Sequence, residues 1–166
     1  DENDIFLIRD LMKSVIDSGT GGSIRWKYKF YVPAAGKTGT TNSKTDAWFV
    51  GFTPQITIGV WIGMDDHSMV LGKKQYGSNA ALPIFAHTIN KIYDKGYYHY
   101  LDKKIELNNK TDWEIPDDIV SKDICKETCC IKTDWCEGDK EYFKKGNIPI
   151  QECEEYSNPL FRFNNP

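Results

Sequence analysis

The stretch Ala34–Asn42, AAGKTGTTN, decides the fold, because Gly36, Lys37 and Thr38 fit the end of a phosphate-binding loop and equally well an edge β-strand. A phosphate loop needs G-x-x-x-x-G-K-[ST], its first glycine letting the backbone curl round the anion, and a helix must follow with its N-terminus aimed at the charge. The place of that first glycine is held by Tyr31. The following segment, SKTDAWFVGFTPQITIGVWIGMDD, also has the wrong period. Trp48, Val50 and Phe52 alternate with Ala47, Phe49 and Gly51, then Thr53, Pro54 and Gln55 read as a turn before a second β-rich run from Ile56 to Ile62. The nucleotide-loop reading fails on both counts, and an antiparallel hairpin follows Lys37.

Upstream, KYKFYVPAAGKTGTT is aromatic and β-branched, which places Lys37 on a strand leading into the hairpin. Three strands then form a meander, with Gly39 where a side chain would obstruct something lying along the edge. Two amphipathic helices flank it. In DENDIFLIRDLMKSVIDSGTGG, Ile5, Ile8, Leu11, Met12, Val15 and Ile16 share one face, and Gly19, Gly21 and Gly22 stop the helix. In NAALPIFAHTINKIYDKG, Ile84, Phe85, Thr88, Ile89 and Ile92 share a face and Gly96 supplies the stop. The expected fold class is α+β, an antiparallel sheet packed by helices. Trp48, Phe49, Trp61 and Phe85 are expected in its core, and Asp46 in a cap or turn bond without a catalytic role.

With 166 residues, 40% of them hydrophobic, the chain can build one modest core with an appendage. A formal net charge of -3 and a pI of about 5.6 argue against a nucleic-acid partner, since the basic residues form no stripe that could neutralise phosphates. No apolar run reaches the roughly 18–20 residues that cross a bilayer, and no signal peptide is legible. The abrupt helical opening reads as part of a longer chain.

The succession AGKTGTTNSKTDAWFVGFTP, a GVWIGMDD strand, AALPIF opening a helix and an SGTGG turn before the motif resembles the transpeptidase domain of class A penicillin-binding proteins. The resemblance covers Ile5 to about Gly96 and implies a penicillin-binding, β-lactamase-like fold. Of the family motifs S-x-x-K, S-D-N and K-T-G, only the last is here; Ser14 is followed three residues on by Asp17. The resemblance therefore implies the carboxy-terminal part of a bacterial cell-wall peptidoglycan D,D-transpeptidase, without its acylating serine and inactive alone. The implied parent is a membrane-anchored, extracytoplasmic serine acyltransferase, bifunctional with a peptidoglycan glycosyltransferase. Its implied partners are D-Ala-D-Ala stem peptides and β-lactams, together with the missing amino-terminal part of the domain. A non-catalytic relative binding peptide or a partner protein with the same sheet is the alternative.

The implied roles are specific. Lys37 supplies positive charge beside the serine and helps proton transfer, Thr38 and Thr40 offer hydroxyls to the substrate carboxylate, the Thr40 N–H completes an oxyanion hole, and Gly39 lets the peptide lie against the strand. The plain alternative is an edge lysine that discourages aggregation among β-forming threonines. No cofactor or metal is implied. His67 reads as a surface-loop residue, His87 as facing helix and core, and His99 as lying among tyrosines.

The residues divide on composition at 1–98, the transpeptidase part, and 99–166, an irregular cysteine-containing extension. All five cysteines, Cys125, Cys129, Cys130, Cys136 and Cys153, fall in the second part, and their spacing fits no standard zinc pattern. With the extracytoplasmic location that the resemblance implies, two disulfides are expected, one involving Cys153, with one thiol left over and no Cys129–Cys130 bridge.

Overall fold

A computed structural model describes residues 1–66 and 68–153; His67 lies outside the described residues. The described residues form two compact units, Ile8–Glu114 and residues 1–7 together with 115–153.

In the larger unit, β1 (Ala35–Thr40), β2 (Asp46–Phe52) and β3 (Thr57–Gly63) form an antiparallel meander in the order β1-β2-β3, as the alternation predicts. Thr41 sets the first turn: its hydroxyl accepts the N–H groups of Thr45 and Asp46, each at 3.0 Å. One face of the sheet carries Ala47 and Phe49 on β2, with Val60 opposite Phe49 and Ile62 opposite Ala47. This face meets α3 (Ala81–Lys95), where Phe49 and Phe85 are fully buried with ring centroids 4.8 Å apart. Burying each ring contributes roughly 1.5–3 kcal/mol. The buried stripe of α3 runs through Leu82, Phe85, Ala86 and Ile89, while Ile84 is half exposed. The expected stripe is thus rotated, and His87 lies on the exposed side against Tyr28, not in the core. Gly96, at φ 77°, ends the helix as expected, its N–H reaching Ile92 O and Tyr93 O; a left-handed residue there suits glycine.

The helix α1 (Glu2–Asp17) is present, but most of its expected apolar face is open. Phe6 and Ile16 are buried, whereas Ile5, Ile8 and Leu11 are each more than half exposed. After it, the glycine-rich turn leads into a short helix, α2 (Ser23–Trp26), that the sequence did not announce. The aromatic run Tyr28–Val32 is not strand. The Arg25 guanidinium takes the carbonyls of Phe30 and Val32 at 2.8 and 2.9 Å, and both of those side chains are buried. Backbone acceptors held by a side chain cannot join a ladder. A hairpin of β4 (Tyr97–Tyr100) and β5 (Lys103–Glu106) closes this unit through Leu101 and Asp102, both at positive φ, with His99 edge-on to Tyr97 as expected.

In the second unit, β6 (Ile119–Cys125) and β7 (Gly138–Lys144) pair antiparallel from Ile119↔Lys144 to Cys125↔Gly138. The stretch from Ile119 to Lys144 is therefore more regular than its polar composition predicts. Phe6 packs edge-on to Tyr142 at 5.1 Å, and the Lys144 ammonium bonds Asp1 and Asp4.

Candidate functional site

The strand β1 is an edge: β2 covers one side, and no described strand covers the other. Its register places Lys37 opposite Val50 and Gly39 opposite Trp48, so these four residues point to one face of the sheet. Lys37 is exposed there, and its Nζ donates to Thr38 O at 2.9 Å. A Cβ on Gly39 would stand only 3.2 Å from the Trp48 Cβ, a tight contact that glycine avoids.

Trp48 and Trp61 are cross-strand neighbours on this face, 45% and 47% exposed, which corrects their expected place in the core. Phe49 and Phe85 hold the core positions. The Trp61 indole is set by a hydrogen bond as well as by packing: its Nε1 donates to Asp46 Oδ1 at 2.9 Å, and Thr45 Oγ1 donates to Asp46 Oδ2 at 2.7 Å. Asp46 thus bonds at the turn entering its strand, as read from the sequence.

The threonines alternate to the other side and find partners that sequence reasoning missed. Thr38 Oγ1 lies 3.1 Å from Thr20 Oγ1, a residue of the SGTGG turn. Thr40 Oγ1 accepts the Gly77 N–H at 3.1 Å. A Cβ on Gly77 would come within 2.4 Å of Trp48 O and 2.6 Å of Gly39 O, so only glycine brings that loop so close to β1 and β2. The only sequence signal for Thr20 is its setting among glycines that stop a helix. The site therefore combines an exposed ammonium, a row of hydroxyls and a strand edge that no described strand pairs. Such an arrangement can hold a carboxylate and pair with an extended peptide.

The comparisons with known proteins agree on what this strand belongs to. The family model described as the penicillin binding protein transpeptidase domain matches residues 1–90, more than half of the chain. The chain belongs to the penicillin-binding protein transpeptidase family. A second model of penicillin-binding proteins, described as the penicillin-binding protein 1A C-terminal domain, matches residues 115–158. Penicillin-binding protein 1A of Rickettsia typhi is 45% identical over 93 residues, 56% of this chain and 11% of the relative. That of Aquifex aeolicus is 32% identical over 146 residues, 88% of this chain and 18% of the relative. The crystal structure of penicillin-binding protein 1A from Haemophilus influenzae superposes with a TM-score of 0.71 at 28% identity, over 92% of this chain and 22% of that one. The chain thus spans less than a quarter of each of these penicillin-binding proteins. The α+β transpeptidase fold expected from the KTG segment is the fold observed.

The extension carries a second cluster of reactive groups. All five cysteines are free thiols, so the expected pair of disulfides is not present. Cys153 does return to the others, but as one of a group: the sulfurs of Cys125, Cys136 and Cys153 lie within 4.8 Å of one another. Burial pushes the Cys153 thiol up to about 12, with the Thr128 hydroxyl opposing and the thiols of Cys136, Cys125 and Cys130 reinforcing. The Cys125 thiol is pulled down to about 6 by hydrogen bonds from Cys136 and Thr128, and by the N–H groups of Glu127 and Thr128. Among the described residues, no helix is long and apolar enough to cross a membrane.

Proposed function

We propose that this chain supplies the KTG strand of a serine-type D,D-transpeptidase that cross-links peptidoglycan on the outer side of the cytoplasmic membrane, within a membrane-anchored parent that also carries a glycosyltransferase. The observation that carries the reading is the exposed edge of β1, with Lys37 and Gly39 on one face and the Thr38 hydroxyl set by Thr20. A stem peptide ending in D-Ala-D-Ala would add as a strand along this edge, its carboxylate taken by the hydroxyls of Thr38 and Thr40. The Thr40 N–H would stabilise the tetrahedral oxyanion and Lys37 would assist the proton transfer at the serine. A β-lactam would take the same place.

The nucleophile would come from a part of the domain that this sequence does not contain, since no serine here is followed three residues later by lysine. The open faces support that part as a partner. Ile8 and Leu11 on α1, and Trp48, Val50 and Trp61 on the sheet, present apolar area that a transpeptidase domain would cover. The same missing motif favours, as a second reading, a non-catalytic relative that binds peptide along β1.

Exposure to a labelled penicillin followed by mass spectrometry tests the proposal. This chain by itself is expected to take no covalent label, and the longer protein containing it is expected to be labelled at a serine of an S-x-x-K motif. A longer protein that carries no such motif and takes no label would favour the binding reading. A label on a serine of this chain would overturn the assignment of the nucleophile.

A further inference from the structure

We propose that Cys125, Cys130, Cys136 and Cys153 form a tetrahedral thiolate site for one structural zinc ion in the carboxy-terminal unit. Zinc–thiolate bonds of about 2.3 Å place the sulfurs of a four-cysteine site roughly 3.8 Å apart. Three of the sulfurs are already mutually within 4.8 Å. Cys130 would be the fourth: its carbonyl accepts the Cys125 N–H at 2.9 Å, and its thiol, which lies outside the close trio and is directed to Thr128 O at 3.7 Å, would turn in to bind.

The backbone delivers each ligand by a separate route. Cys125 ends β6, and Cys136 precedes β7 by two residues, so the pairing of the two strands brings both to one end of the hairpin. Cys130 returns through the turn in which Cys129 N–H bonds Cys125 O. Cys153 arrives from the far end of the chain because residues 151–153 zip alongside Ile131, through Ile131 N–H to Gln151 O at 2.9 Å and Cys153 N–H to Ile131 O at 3.1 Å. The linear spacing looks irregular because the ligands come from three separate returns of the chain.

The surroundings match a thiolate cluster better than a set of thiols or two bridges. The Thr128 hydroxyl lies 3.0 Å from the Cys153 sulfur. Cys125 and Cys153 are buried, at 1% and 5% exposure, in a unit with little other apolar core. A disulfide joins sulfurs in pairs, whereas three sulfurs mutually close, with a fourth at hand, are arranged about a point. Cys129 does not belong to the site: it is exposed, at φ 58°, in the turn.

The protein purified from its native compartment, with thiols trapped on lysis, should contain one zinc per chain by elemental analysis. Exchange with cobalt should give sulfur-to-cobalt charge-transfer bands and the intense visible bands of a tetrahedral thiolate centre. Cys136→Ser is expected to lose the zinc, and Cys129→Ser to keep it. Should Cys136→Ser fail to fold, the wild-type cobalt spectrum still decides the ligand set. A metal content at background, an octahedral cobalt spectrum, loss of zinc in Cys129→Ser equal to that in Cys136→Ser, or peptide mapping that finds Cys125, Cys130, Cys136 and Cys153 paired in disulfides would each overturn the proposal.

Discussion

Thr20 and Thr38 share a hydrogen bond of 3.1 Å between their hydroxyls, joining the turn after α1 to the middle of β1. Thr38 thereby presents its oxygen in a set direction, so Thr20 acts on the site through it. In the longer protein, Thr20→Val is expected to slow acylation by a β-lactam about 2- to 10-fold, the equivalent of one hydrogen bond of roughly 0.5–1.5 kcal/mol. Thr20→Ser should restore the rate, and thermal melting should distinguish this from general loss of fold. Acylation by the valine variant at the wild-type rate would remove Thr20 from the site.

Lys37 is exposed on the open face and its ammonium bonds only the neighbouring carbonyl of Thr38 in the described structure. Little packing depends on it. Replacing it by alanine in the longer protein is expected to leave the melting temperature within a degree or so of wild type while lowering the acylation rate about 10²- to 10⁴-fold. Stopped-flow acylation with a chromogenic cephalosporin provides the check, and an unchanged rate would reduce Lys37 to a surface residue.

Gly77 is pressed against the peptide groups of Gly39 and Trp48, and its N–H is held by the Thr40 hydroxyl. Backbone atoms cannot rotate away as a side chain can. Gly77→Ala is therefore expected to destabilise the larger unit by about 1–3 kcal/mol, or else to displace the loop from β1. Chemical denaturation measures the first outcome, and faster amide exchange across Gly39–Thr41 reports the second.

Thr53 is a buried hub. Its hydroxyl oxygen accepts the N–H groups of Gln55 and Ile56 and the phenol of Tyr93, the last at 2.8 Å. Thr53→Val should cost about 1–3 kcal/mol by leaving these donors unpaired. Burial raises the Tyr93 phenol above its ordinary 10.0. A raised folded value means that its contribution is fully present below pH 10 and is lost as pH climbs through the folded value. Tyr93→Phe is accordingly expected to be about 0.5–1.5 kcal/mol less stable at neutral pH but to lack this part of the alkaline decline. Denaturation midpoints measured from pH 7 to 11 test the sign.

The elements legible in the sequence are those whose determinants are local. Alternation along Ala47–Phe52 and Ile56–Ile62 is a property of neighbouring residues, and it identified the strands of the meander; Gly96 likewise marked the end of α3 through its own backbone freedom. The KTG letters were readable because the residues around them name a strand rather than a phosphate loop. The errors arose where a residue's fate depends on a distant partner. Tyr28–Val32 has strand composition, yet the Arg25 guanidinium takes its carbonyls. Trp48 and Trp61 have core composition, yet they stand about half exposed on the face away from α3.

By itself the sequence determined which segments alternate, where the helices stop and which chemistry the edge strand can offer, since these follow from the steric and hydrophobic character of adjacent side chains. Only the tertiary structure decided which hydroxyl meets Thr38 and which sulfurs meet at all. Cys125 and Cys153 are far apart along the chain, and no spacing rule joins them; they meet because two strands pair and the segment ending at Cys153 bonds back along Ile131. Backbone hydrogen bonds between distant segments carry that information, and their partners are not written in either segment alone.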